Sequence, residues 1–429
     1  MIRIRPLLDC VALGLVCAAS AASAAEWRVG GHLKFQGTAS LQSSDDLVAV
    51  EEGEHLLDYS ADARLKLEGR QGRFGLVIHD QLLATGGDRF AALSSFADSY
   101  STLSSLVGAG VLPQGANPAL PSDDRRALDL EHRLHEGSRS EIVHRLDRMY
   151  LSYSDFNGFA RLGRQVFTWG NGLVFNPMDF INPFPPTTID TEYKIGEDML
   201  YGQTLIPSGD LQAAYVMRRD EMGDIEGERA STALKYRAET AAGSVDVALA
   251  HHYDETVVGL GWSRPLRDAL VRVDLLWSDT VSGDAISAVA NVDYSWTWFG
   301  HNTYGFLEYY RNGFGTGSTD LAQLDQALFQ RMERGEVFTF GRNYLSTGFE
   351  IDLTPLLKAR PTGIVNLDDH SGVALLRFEY EWRGDRILHF GLDIPFGERG
   401  SEFGGLSIPG TSLYSTPARQ LFIRLAWYV

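Results

Sequence analysis

One parity of residues is apolar and the other polar over segment after segment of this chain, each about ten residues long. Val29, Gly31, Leu33, Phe35, Gly37, Ala39 and Leu41 share the first parity, and Arg28, His32, Lys34, Gln36, Thr38 and Ser40 the second. The next segment repeats the pattern, with Leu57, Tyr59, Ala61, Ala63, Leu65 and Leu67 against Asp58, Ser60, Asp62, Arg64, Lys66 and Glu68. Period two means β-strands with two unlike faces. Strands of roughly ten residues exceed the usual five or six and match what a tilted strand needs to cross a bilayer. The pattern reaches the C-terminus, where Leu421, Ile423, Leu425, Trp427 and Val429 alternate with Gln420, Phe422, Arg424, Ala426 and Tyr428.

Eighteen such segments are counted, with centres running from Leu33, Ala63 and Ile78 to Phe378, Leu392 and Leu425. The fold class read from them is all-β: a transmembrane antiparallel β-barrel of about 18 strands (16–18), the even number following from both ends lying on one side of the membrane. Short connections such as Gly69-Arg70-Gln71-Gly72 and Asp155-Phe156-Asn157-Gly158 carry Gly and Asn, which tolerate φ > 0. The others include long stretches at 84–141, 168–197, 312–342 and 397–418. Short turns on one side and long loops on the other are the rule for outer-membrane barrels. Trp27, Trp262, Trp277, Trp296, Trp298, Trp382 and Trp427 fall near expected strand ends, where an aromatic girdle sits.

The N-terminus reads as an export signal at 1–24: Arg3 and Arg5, an apolar run from Val11 to Ala19, and Ala22-Ser23-Ala24 as a cleavage site. Residues 25–429 are then one barrel domain of the Gram-negative outer membrane. Both cysteines, Cys10 and Cys17, lie in the signal, so the mature chain has neither disulfides nor thiolate ligands. A formal net charge of -18 argues against nucleic acid as a partner.

The stretch 168–197 follows the fifth strand and is too apolar for a solvated loop. It holds Trp169-Gly170-Asn171-Gly172 and then Phe175-Asn176-Pro177-Met178-Asp179-Phe180-Ile181-Asn182-Pro183-Phe184-Pro185-Pro186. Its expected place is inside the barrel, as a constriction. The residues expected there are Trp169, Asn171, Asn176, Asp179, Asn182, Asp190, Glu192 and Lys194. Those expected on the facing lumen wall are Arg64, Lys66, Arg148, Arg161 and Gln165. An acidic loop opposite a basic wall makes a transverse field that orients charged or dipolar solutes. The same charges can instead pair and pin the loop, and the two readings are compatible. Asn171, Asn176 and Asn182 read as turn-formers rather than solute contacts.

Arg161-Leu162-Gly163-Arg164-Gln165 followed by Trp169-Gly170 resembles the strand-into-loop segment of proteobacterial outer-membrane channels, notably alginate-export-like and related porin families. Leu353-Thr354-Pro355-Leu356-Leu357, Asn366-Leu367-Asp368-Asp369-His370-Ser371 and Gly400-Ser401-Glu402-Phe403-Gly404 look like segments that recur in barrels of this broad kind. The resemblance implies an eighteen-stranded channel and names no substrate. The lumen lacks the dense arginines a polyuronate exporter would want.

Other chemistry is thinly represented. His132 and His135 lie in 128–144, expected to be helical, where i, i+3 spacing puts two ligands on one face without a third. His251 and His252 point to opposite faces of a strand. There is no Gly-x-Ser-x-Gly elbow and no phosphate loop, so neither an enzyme nor a cofactor is expected. A second helical stretch, 90–107, carries Phe90, Leu93, Phe96 and Leu103 and is expected to cap the barrel. The expected function is a porin-like channel for small polar or charged solutes, with outer-membrane lipid and the barrel-assembly machinery as partners. A substrate-specific exporter or importer, for a polysaccharide or a hydrophobic solute, and a plugged adhesive or structural barrel are the alternatives. The oligomeric state is left open.

Overall fold

A computed structural model describes residues 25–99, 122–220, 222–317 and 325–429. The signal at 1–24 lies outside them, as do Leu103 and the rest of the stretch from 100. The strands are β1 (Glu26–Leu41), β2 (His55–Gln71), β3 (Phe74–Gly87), β4 (Glu131–Glu136), β5 (Ser140–Ser154), β6 (Gly158–Gln165), β7 (Glu197–Ile206), β8 (Gly209–Val216), β9 (Ser231–Thr240), β10 (Gly243–His252), β11 (Glu255–Leu266), β12 (Ala269–Thr280), β13 (Gly283–Trp298), β14 (His301–Arg311), β15 (Asn343–Thr354), β16 (Leu357–Asn366), β17 (Gly372–Arg383), β18 (Arg386–Phe396), β19 (Leu406–Ser407), β20 (Tyr414–Ser415) and β21 (Arg419–Tyr428).

Each barrel strand pairs antiparallel with its neighbour, and β21 closes the ring by pairing with both β18 and β1. Setting aside β4 and the small hairpin β19–β20, eighteen strands form the closed barrel, and each expected segment centre falls in one of them. Closure leaves no open edge, which is how a sheet satisfies its backbone in hydrocarbon.

The alternation sorts residues as the two faces require. Val29, Phe35, Leu57, Leu65, Leu151, Leu162 and Leu200 are exposed on the outside, while Lys34, Gln36, Thr38 and Arg64 are buried within. Trp27, Trp298, Trp382 and Trp427 are exposed near the short-turn end, as an interfacial girdle. Leu425 is on the outer parity, opposite Phe35 of β1 and Leu388 of β18. It lies one outward position in from the Trp427 girdle, so its replacement with Arg should cost about 1–3 kcal/mol, between the interfacial and midplane values, read as urea unfolding and loss of heat-modifiable migration. An unchanged unfolding midpoint would place this face away from lipid.

One expectation fails here. The stretch 128–144 is not helical: it supplies β4 and the start of β5. The reason is in the wall. β6 ends at Gln165, so the upper half of β5 has no β6 partner, and its backbone groups need one. β4 provides it, from Glu131 opposite Arg145 to Glu136 opposite Glu141. His132 and His135 are therefore exposed residues of a strand rather than neighbours on a helix face. The other helical stretch exists in part, as the helix Asp88–Ser99.

Candidate functional site

Residues 166–196 leave the end of β6 and enter the lumen. The first limb lies against the inner wall of β7 to β14. That wall is cut back to receive it: Ala214, Ala233, Ala248 and Ala250 face inward and are buried, and Gly259 lies under Met178. A Cβ at Gly259 would sit 2.4 Å from the Met178 sulfur, so only glycine leaves room. Trp169 packs edge-on to Phe180 at 6.3 Å, and Phe167 stacks on Tyr201 at 5.4 Å.

Polar wall residues then fix the backbone. The Trp169 indole N–H donates to Gln212 at 2.7 Å. Asn171 donates through its backbone and its amide to the two oxygens of Asp274, each at 2.6 Å. Glu308 of β14 accepts three successive backbone N–H groups, from Leu173 at 2.6 Å, Val174 at 3.0 Å and Phe175 at 2.8 Å. Three consecutive amides turned onto one carboxylate form an anion nest with the anion supplied by the wall. Phe175 then stacks on Tyr310 at 4.5 Å.

The expected asparagines hold shape. Asn176 donates to the Trp169 carbonyl at 2.8 Å and Asn182 to the Ile195 carbonyl at 2.6 Å. Asp179 and Lys194 pair with each other, and Lys194 also reaches Thr168 at 3.1 Å. Burial lifts the Asp179 carboxyl to about 6 against the pull of Lys194.

The second limb meets the opposite arc of wall. Arg377 of β17 donates to the carbonyls of Thr187 and Thr188 at 2.6 and 2.7 Å. Asp190 pairs with Lys34 at 2.6 Å and Arg424 at 3.2 Å, and Glu192 with Lys34 at 2.7 Å. Burial raises the Asp190 carboxyl, but Arg424 and Lys34 outweigh it and hold the group below its ordinary range. Tyr193 accepts from Lys66, and the Arg64 guanidinium lies over its ring at 4.2 Å. Arg148 donates to the Lys194 carbonyl.

The structure thus brings Arg64, Lys66 and Arg148 to the loop. It does not bring Arg161, which lies over the rings of Phe159 and Tyr150, or Gln165, whose amide bonds to the Met199 carbonyl at 3.1 Å. The residues that sequence reasoning missed are the anchors Gln212, Asp274 and Glu308 and the wall cations Lys34, Arg377 and Arg424. Their inward parity was the available signal.

The two limbs are held unequally. Trp169, Phe175, Met178, Phe180 and Ile181 are at most 7% exposed. At about 1.5–3 kcal/mol each, their burial outweighs the roughly 0–1 kcal/mol of a partly exposed ion pair. The Asp190 and Glu192 side chains keep 31% and 36% exposure. The first limb is fixed, and the second is the weaker attachment.

Where β6 stops, a buried ionic chain completes the wall: Arg64 to Asp147, Asp147 to Arg148 at 2.7 Å, and Asp123 through Arg164 to Asp198 at 2.9 Å. A second buried chain runs from Ser231 to His252 at 2.7 Å and on to Glu336 at 2.9 Å. It has the residue types of a hydrolase triad. Yet Ser231 is fully buried and accepts a bond from Arg218 at 2.6 Å, and Glu336 is shared with Arg331 at 2.9 Å. The arrangement pins the segment 325–342 to the wall. Among the described residues no three His, Cys, Asp or Glu side chains are grouped to hold a metal.

No family model matches the sequence, and no curated protein matches it. Solved structures do. Acinetobacter baumannii OccAB2 is 12% identical, with 94% of this chain and 98% of that chain covered and a TM-score of 0.52. OccAB1 of the same organism is 9% identical over 94% of this chain and 96% of its own, and OccAB4 9% over 94% and 98%, each with a TM-score of 0.52. What they share with this chain is the fold. It is a large porin-type barrel, apolar outside and polar within, the architecture of outer-membrane channels.

Proposed function

We propose that this chain is a Gram-negative outer-membrane channel, and not an enzyme, that passes small polar or charged solutes through an eyelet formed by residues 166–196. One observation carries the reading: the segment is anchored on β8, β12 and β14 at one side and on β1, β17 and β21 at the other. A chain fastened to both sides narrows the lumen between them. Eighteen strands enclose a lumen wide enough for an aqueous path beside it.

The charges at the second limb have two roles in this reading. Lys34 and Arg424 tie down Asp190 and Glu192, and the same cations set a field across the passage. The limb 187–193, held by ion pairs, is the part that moves during passage.

The test is single-channel recording of refolded, signal-free protein across a planar bilayer under a salt gradient. Discrete conductance steps are expected. Lys34→Glu combined with Arg424→Glu should shift the reversal potential toward cation preference and increase open-channel noise. Silence from protein shown to be folded by heat-modifiable migration would overturn the channel reading in favour of a plugged barrel. A reversal potential indifferent to both substitutions would remove these cations from the passage.

A further inference from the structure

One ion pair stands on the outer face of the barrel, half-way along the wall. Asp80 is the seventh of the fourteen residues of β3, and its cross-strand neighbours are Leu65 of β2 and Leu146 of β5. Leu65, and Leu82 two residues further along β3, are exposed on the outside, and Asp80 shares their parity. His144 of β5 stands opposite Leu82 and turns back to Asp80, Nε2 to Oδ1 at 2.7 Å. The His144 and Asp80 side chains keep 42% and 43% exposure, so no described residue covers them. Among the described residues every other ion pair faces the lumen, lies at a strand end or loop, or is buried, as Arg164 with Asp198 is.

Hydrocarbon is a poor surrounding for such a pair. Ionisable groups at membrane depth are costly unless protein or water receives them. Pairing offsets part of that cost, yet the contact engages one atom of each residue, and no other polar group among the described residues meets the pair. Asp80 Oδ2 and His144 Nδ1 are left for something beyond the chain.

The arrangement is self-complementary. Acid and base sit side by side on adjacent strands. A second copy, turned by a two-fold axis along the membrane normal, brings its base to this acid and its acid to this base. Two pairs then close into a ring of four side chains, shielded from lipid by both walls. The adjoining outward residues Ala61 and Ala63 of β2 and Ala84 of β3 are small, so the two walls can approach closely. We infer that the outer face of β2, β3 and β5 is the contact surface of a two-fold dimer, centred on Asp80 and His144. The inference goes beyond the channel reading, because it concerns the outside of the wall and assigns a partner there.

Mass and proximity test it, and neither involves conduction, so its failure is distinguishable from failure of the channel reading. Light scattering of the folded, signal-free chain in detergent should give twice the chain mass. Asp80→Leu combined with His144→Leu should halve that mass and keep heat-modifiable migration, because a leucine face is at home in lipid. Cys10 and Cys17 lie outside residues 25–429, so a signal-free Leu82→Cys chain carries a single thiol. In lipid vesicles under mild oxidation it should cross-link at least tenfold faster than Leu260→Cys, which is exposed on the outer face of β11. The cysteine pair keeps the test decisive if the double variant does not fold. A mass of one chain or of three for the unaltered protein, or a doubled mass kept by the folded double variant, would overturn the dimer. Equal cross-linking at the two positions would show random collision and overturn the assigned face.

Discussion

Glu308→Gln is expected to cost nearly as much as Glu308→Ala, about 3–5 kcal/mol in unfolding free energy, although it changes a single atom. Both carboxylate oxygens of Glu308 are acceptors for the loop. One takes the N–H groups of Val174 and Phe175, and the other takes Leu173 and the Asn291 amide. Gln keeps one acceptor and turns an NH₂ toward donors, so whichever way the amide faces, buried N–H groups lose their partner. An unsatisfied buried donor costs about 1–3 kcal/mol, more where the lost acceptor was charged. Glu308 is fully buried, so water replaces little of the loss. The same variant should turn a quiet open channel into a noisy one, because the nest at 173–175 centres the fixed limb. Urea unfolding and bilayer noise spectra read the two effects independently. A Gln variant that unfolds like the unaltered chain and conducts quietly would show that the apolar contacts alone hold the limb.

That anchor marks the limit of what the sequence discloses. The barrel is legible because strand parity is local: Leu33 and Lys34 declare opposite faces without reference to anything distant. The loop's inward course is legible in part, because Phe175 to Pro186 is too apolar to face water. The anchors are not, since Glu308 meets Phe175 from 133 residues away and reads in sequence as one more inward acid on β14. Gly259 likewise reads as turn-rich composition until Met178 is seen against it. The misreading of 128–144 has the same origin. Leu130 to Glu136 is paired as a strand because β6 ends early, and where β6 ends is decided by Arg164 turning to meet Asp123 and Asp198. Arg161 was placed at the eyelet on parity alone, whereas height along the barrel, which parity does not report, sets it beside Phe159 near the short-turn end.

Excision of residues 171–186 is expected to raise single-channel conductance several-fold and to blunt discrimination between solutes. The deletion is geometrically mild. Gln165 and Glu197 are paired neighbours at the ends of β6 and β7, so the residues left between them need only a short path along the wall. The indole of Trp169 keeps its partner Gln212 on β8. What goes is the part that crosses: the Asn171 contacts to Asp274, the nest on Glu308, and Met178 over Gly259. Asp274 and Glu308 then lose the loop N–H groups that now cap them, Glu308 keeping only the Asn291 amide, and these two exposed carboxylates outnumber the one cation, Lys194, that loses its partner Asp179. The enlarged pore should therefore favour cations more than the intact one, an effect that simple widening does not produce. Lys34→Glu shifts selectivity in the same direction without the gain in conductance, so the pair of variants separates charge from width. Conductance unchanged by the excision, in protein that folds and migrates as a barrel, would move the narrowest point to the clusters built by 312–342 and 397–418, where Leu328, Met332, Phe340 and Leu406 already pack together.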